Sequence, residues 1–220
     1  MSHLRSLLEW FVILIPVLII GFLVFNVISG NSIPAAEASG LPGNGGFFQV
    51  PLPAPQQYTK TAGEWRFTLT SNYAYTLAGK VVGRHEYPGA MPEGIIPLDL
   101  AVVNGDVLRP DILPYFKFTM GARTLKYSYD VPTFTGLTEE YIDEHISNNH
   151  LVFLNTTLES EVKRAPVGSC LIIKGKLVDI NGISPGSRYF VNTSTVRNDT
   201  YPAGCEIILA ESYKTVDCGD

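Results

Sequence analysis

The chain has 220 residues, 45% hydrophobic and 17% charged, which excludes a disordered polymer; its 20 Gly and 15 Pro follow no triplet period, which excludes a collagen-like one. That length suits one ordinary domain with an appendage. With 16 Lys and Arg against 21 Asp and Glu, the formal charge of −5 offers no pull on a phosphate backbone and argues against a nucleic-acid partner.

Residues 10–28, from Trp10 to Ile28, are uncharged and long enough to span a bilayer core as a helix. Arg5 precedes them and the next basic residue is Lys60, so the positive-inside bias puts a stub, residues 1–9, in the cytoplasm and the rest outside the plasma membrane. A cleaved signal peptide competes, with Ala36-Glu37-Ala38 as a small-x-small site. That triplet lies well beyond Ile28 and the apolar run exceeds a signal core, which favours an uncleaved anchor. Residues 29–56 are dense in Gly, Pro, Ala and Ser without period and read as a flexible tether, with Phe47 and Phe48 expected to dock on the domain. Residues 57–220 remain for the extracytoplasmic domain.

Within it, Glu64–Thr70 and Tyr73–Val82 alternate with period two and read as paired strands. An apolar run from Ile96 to Val103 is crossed by Asp99. Tyr115–Phe118 and Thr124–Tyr129 read as a hairpin about Met120-Gly121-Ala122. One helix is expected, with Thr138 as N-cap, Glu139 and Glu140 in its first turn, Ile142 and Ile146 on one face, and an end near Ser147-Asn148-Asn149. Three further strands follow: Cys170–Ile180 before a turn at Asn181-Gly182, Tyr189–Thr195, and Cys205–Tyr213. Gly175 marks a bend or bulge. The expected fold is therefore a single N-terminal transmembrane helix plus a mainly β (α+β) domain, its C-terminal half suggesting a small OB-like barrel.

An ordered set of segments carries a resemblance: Pro97-Leu98-Asp99-Leu100, Ser147-Asn148-Asn149-His150-Leu151, Gly175-Lys176-Leu177-Val178, Thr193 to Thr200, and Gly204-Cys205-Glu206-Ile207. Over residues 60–214 the chain resembles an uncharacterised family of bacterial membrane-anchored extracytoplasmic proteins with S-x-N-H-L and T-S-x-x-R-x-D-T…C-E motifs. The resemblance implies a shared topology and no assigned activity. Where that family has a Trp-Gly pair and a Gly-rich turn, this chain has Asn104-Gly105 and Tyr201-Pro202-Ala203. Cys205 belongs to the family pattern and Cys170 and Cys218 do not, which makes those two the disulfide peculiar to this chain. If the strand opening at Cys170 runs antiparallel to the one ending near Val216, Cys218 falls beside it.

The polar residues able to converge are Asn149, His150, Arg197, Asp199, Cys205 and Glu206. As an enzyme, His150 would be base to the Cys205 nucleophile, with Asn149 or Asp199 orienting the imidazole. As structure, Cys205 is an inert thiol opening an apolar strand, and Arg197 with Asp199 or Glu206 is an ion pair anchoring a hairpin. No metal or cofactor motif is visible: His85-Glu86 is isolated, and His145 and His150 are five apart. Lys174, Lys176 and Tyr189 do not amount to a basic stripe, and sequons at Asn155, Asn192 and Asn198 only permit glycosylation. The expected role is a non-catalytic binding or assembly module, its partners the bilayer through residues 10–28 and another membrane or envelope protein. A membrane-tethered hydrolase using His150, Cys205 and nearby carboxylates is the alternative.

Overall fold

The computed structural model describes residues 41, 43, 45–130, 136–196 and 205–219. The expected stub, transmembrane segment and first part of the tether lie outside them, as do Arg197 and Asp199. Among the described residues no helix is long and apolar enough to cross a membrane.

The domain is mainly β. In chain order it comprises β1 (Gly46–Ala62), β2 (Trp65–Glu86), β3 (Leu98–Val103), β4 (Phe116–Gly121), β5 (Thr124–Tyr129), α1 (Glu139–Glu144), β6 (Ile146–Phe153), α2 (Thr156–Lys163), β7 (Cys170–Ser184), β8 (Ser187–Val191) and β9 (Glu206–Val216). Seven strands form one sheet in the order β1-β2-β3-β6-β9-β7-β8, and β4 pairs only with β5. β2 pairs with β7 as well, so β2, β3, β6, β9 and β7 each have a neighbour on both sides. All these pairings are antiparallel except that of β6 with β9, which is parallel.

The two segments expected to pair, Glu64–Thr70 and Tyr73–Val82, are instead one strand, β2, broken by a register shift between Ser71 and Tyr73. The extra residue, Asn72, reverses the alternation. Tyr75 and Leu77 therefore pack with Leu98, Leu100, Val102, Leu151, Phe153 and Ile208, whereas Phe67 and Leu69 pack with Val152, Val178, Ile180, Ile207 and Leu209. Each fully buried side chain of this size contributes roughly 1.5–3 kcal/mol. One bulge thus lets a single strand serve two cores.

Residues 46–56, assigned to the tether by composition, form most of β1. As an edge strand it needs ladder bonds on one side only, and its prolines at 51, 53 and 55 fall where the register with β2 breaks, between Pro51 and Gln56. Phe47 docks on the first core; Phe48 stays half exposed.

The helix after Thr138 forms with its cap in place, Thr138 Oγ1 accepting from the Tyr141 N–H at 3.1 Å, but it stops at Glu144. Ile146 to Phe153 is strand and wholly buried, so Ser147-Asn148-Asn149 is not a turn. A strand covered on both faces has no period-two signature, and Ile142 with Ile146 imitates a helical face. α2 was not expected; Asn155 caps it, accepting from the Thr157 and Leu158 N–H groups at 2.8 and 3.2 Å. β7 runs through Asn181-Gly182 to Ser184 rather than turning there.

The β4–β5 hairpin matches expectation, with Ala122 and Arg123 at its tip both left-handed, at φ 49° and 63°. The Gly175 bulge is also present: the β7–β9 register shifts between Lys174 and Gly175, and a Cβ there would overlap the Leu209 carbonyl oxygen. Cys170 lies opposite Val216 and is bonded to Cys218, with Cα atoms 5.2 Å apart.

Candidate functional site

Strand period two sorts β6 into two rows. Ser147, Asn149, Leu151 and Phe153 point one way; Ile146, Asn148, His150 and Val152 point the other. In the second row Ile146 packs against Val103, Val107 and Phe116, and Val152 against Ile207 and Leu209. Asn148 and His150 are therefore held between two apolar clusters. Directly across β3–β6 from His150 is Asp99.

Asp99 is fully buried, and His150 is 8% exposed. An unpaired carboxylate in such a place costs several kcal/mol, so its partners decide whether the strand can carry it. Asp99 Oδ1 accepts from His150 Nδ1 at 2.7 Å and from Arg123 Nη1 at 3.1 Å. The Cys205 thiol acts on the imidazole as a second polar neighbour. Burial by itself depresses the His150 pKa, but Asp99 and Cys205 outweigh it and raise the value to about 9. His150 is thus a cation at neutral pH, bonded to a carboxylate through Nδ1, with the Cys205 sulfur as a further neighbour.

Arg123 reaches this centre from the hairpin tip. Its Nη2 donates to the Glu93 carbonyl at 2.9 Å, and its guanidinium lies 3.6 Å above the centre of the Tyr87 ring. Its backbone N–H donates to the Tyr87 hydroxyl at 2.9 Å, and its carbonyl accepts from Asn148 Nδ2 at 3.1 Å. Asn148 Nδ2 also lies 3.6 Å from Cys205 Sγ. Burial raises the Tyr87 pKa; the Arg123 N–H opposes that and the charge of Asp99 adds to it. Tyr189, also raised by burial, lies within the field of Arg123 and Glu93.

Of the residues singled out in the sequence, His150 and Cys205 come together. Asn149 faces the opposite way, donating to the Leu100 carbonyl at 3.1 Å and to Ser147 Oγ at 2.7 Å, with buried Glu206 opposite it across β6–β9. The group that orients His150 is Asp99, in place of Asn149, while Asp199 lies outside the described residues. Its signal in the sequence was a single charge inside an otherwise apolar strand; Arg123 and Tyr87 gave none. His145 is occupied elsewhere, its Nδ1 2.7 Å from the Tyr141 carbonyl oxygen. Lys176 pairs with Glu211. Among the described residues no group of three His, Cys, Asp or Glu could hold a metal ion. Compared with known proteins, the chain matches no family model, no curated protein and no solved structure at a significant level.

Proposed function

We propose that the domain is a thiol hydrolase built on an OB-type barrel and held outside the plasma membrane by residues 10–28. The observation that carries this is the Asp99 Oδ1–His150 Nδ1 hydrogen bond, with the Cys205 sulfur acting on the same imidazole. A thiol on an imidazole whose far nitrogen is fixed by a carboxylate is the arrangement that activates a cysteine nucleophile.

The chemistry it supports is acyl transfer. The Cys205 thiolate adds to an ester or amide carbonyl, and the tetrahedral adduct collapses to a thioester as the leaving alcohol or amine takes the proton held by His150. Water then attacks the thioester, giving its proton to His150; the C–S bond breaks, and the carboxylic acid and the thiolate–imidazolium pair are released. Asp99 holds the ring and balances its charge in both steps.

The barrel is supported by the closure of β2-β3-β6-β9-β7 through the β2–β7 pairing, with β6 and β9 parallel and α2 between β6 and β7. It draws on β2 and β3 as well as on the C-terminal half. OB-type barrels present ligands over their second and third strands, between the first and last connecting loops. Those positions correspond here to β3 and β6, the segment holding Glu93, and the segment leading to Cys205. The Cys170–Cys218 disulfide favours an oxidising compartment and so an extracytoplasmic domain.

A second role, as a binding or assembly module for an envelope protein, is favoured by Phe48 and Val50 on β1 and Phe190 on β8, all at least half exposed on the outer strands. The test is carboxymethylation of native, detergent-solubilised protein by iodoacetamide between pH 5 and 9, read by peptide mass spectrometry. The hydrolase requires Cys205 to label at neutral pH far faster than in denaturant. Labelling no faster than in denaturant would return the domain to the binding module.

A further inference from the structure

A single residue of the β4–β5 hairpin is fastened to both supports of the thiol–imidazole pair. Through its side chain Arg123 donates to the same Asp99 oxygen that holds His150. Through its backbone carbonyl it accepts from Asn148, whose amide also touches the Cys205 sulfur. Tyr87 takes its backbone N–H and lies under its guanidinium, and the Glu93 carbonyl takes Nη2. These five attachments hold a non-glycine residue at φ 63° at the tip of a two-residue turn, where Asn-Gly is the usual solution. A hairpin needing only to reverse direction has no use for arginine there.

We propose that Arg123 is a positioning residue that sets the charge balance of the Asp99–His150–Cys205 centre, holding Asp99 in place while sharing its negative charge with His150. Its catalytic meaning rests on the hydrolase proposed above; its electrostatic effect does not. Among the described residues, the charged and titratable groups acting directly on His150 are Asp99 from β3 and Cys205 at the head of β9, and Arg123 from the hairpin tip acts on it through the Asp99 oxygen the two share. Tyr87 beyond β2, Glu93 in the β2–β3 connection and Tyr189 on β8 surround Arg123 in turn. Among these Arg123 is the cation that competes with the imidazolium for Asp99. Taking its charge away leaves the carboxylate wholly to His150 and favours the protonated ring.

The experiment is an NMR titration of His150 in full-length protein, in wild type and in Arg123→Gln, Arg123→Met and Arg123→Lys. The backbone bonds of residue 123 survive all three changes, and either neutral variant suffices for the comparison. In the neutral variants the midpoint should rise by roughly one pH unit, the low end of what a carboxylate no longer shared with a second cation contributes, and in Arg123→Lys it should stay near wild type. A midpoint unmoved in a folded neutral variant, or moved equally in Arg123→Lys, overturns the assignment. Iodoacetamide labelling of Cys205 in the same samples separates the two proposals. Slow labelling with a responsive His150 retires the hydrolase and keeps Arg123 in its role; fast labelling with an unresponsive His150 does the reverse.

Discussion

β9 carries a cysteine environment at each end, and the two differ in what backs the sulfur. At the C-terminal end Cys218 is bonded to Cys170, which is buried against apolar strands. At the N-terminal end, about 35 Å away along an extended strand of eleven residues, Cys205 is a free, half-buried thiol on a histidine. The first sulfur environment restrains the chain and offers no proton acceptor. The second restrains nothing and is surrounded by groups that move or balance a proton. Sequence position along one strand thus separates a staple from a candidate nucleophile, and the neighbours across the sheet decide which is which.

The sharpest way to break this contrast is at His150. His150→Ala should slow carboxymethylation of Cys205 at pH 6.5 by roughly 100-fold, the lower end of what a positioned acid–base group contributes. Mass spectrometry of the native protein reads this, and an unchanged rate would make the two sulfurs equally inert. At the other end, replacing Cys170 and Cys218 by Ala frees a 48-residue separation, worth about 4 kcal/mol in chain entropy. Urea denaturation should find that loss while Cys205 labels as before. A stability unchanged by the double substitution would remove the staple from the comparison.

The third prediction concerns pH. The folded His150 pKa of about 9 stands above its ordinary 6.5, so the charged ring stabilises the fold fully below pH 6.5, and that contribution is lost as pH rises through 9. Roughly 3 kcal/mol is at stake, from 1.36 kcal/mol per pH unit. Denaturation at pH 6 and pH 9.5 should differ by about that much more in wild type than in His150→Gln; equal differences would refute it. The smallest effect is expected at the α2 cap, where Asn155→Ala should cost about 1 kcal/mol in melting experiments and leave both sulfurs undisturbed.

What was legible in the sequence followed from short-range rules. The Thr138 cap, the β4–β5 hairpin and the Gly175 bulge each depend on a few adjacent residues. The pairing of Cys170 with Cys218 came from setting Cys205 apart. What stayed hidden depends on partners far along the chain. Residues 46–56 of β1 looked like tether because an edge strand can be polar and proline-bearing so long as β2 supplies the ladder. Ser147-Asn148-Asn149 looked like a helix end because burial on both faces erases alternation. Asp99 was visible as an anomaly in an apolar run, but its meaning needed His150, 51 residues away. Arg123 carried no local mark; only the fold brings a hairpin tip to β3.

The placement of β9 has a consequence for how the molecule is made. It follows the other described strands in chain order, yet it lies between β6 and β7, parallel to one and antiparallel to the other. Until it emerges, β6 and β7 keep unsatisfied edges and the apolar faces of Leu151, Phe153, Leu171 and Ile173 remain open on that side. Folding of the sheet is therefore coupled to the arrival of β9, with contacts of long sequence separation forming late and slowly. A growing polypeptide of this kind has to be shielded from edge-to-edge association until β9 threads into the middle.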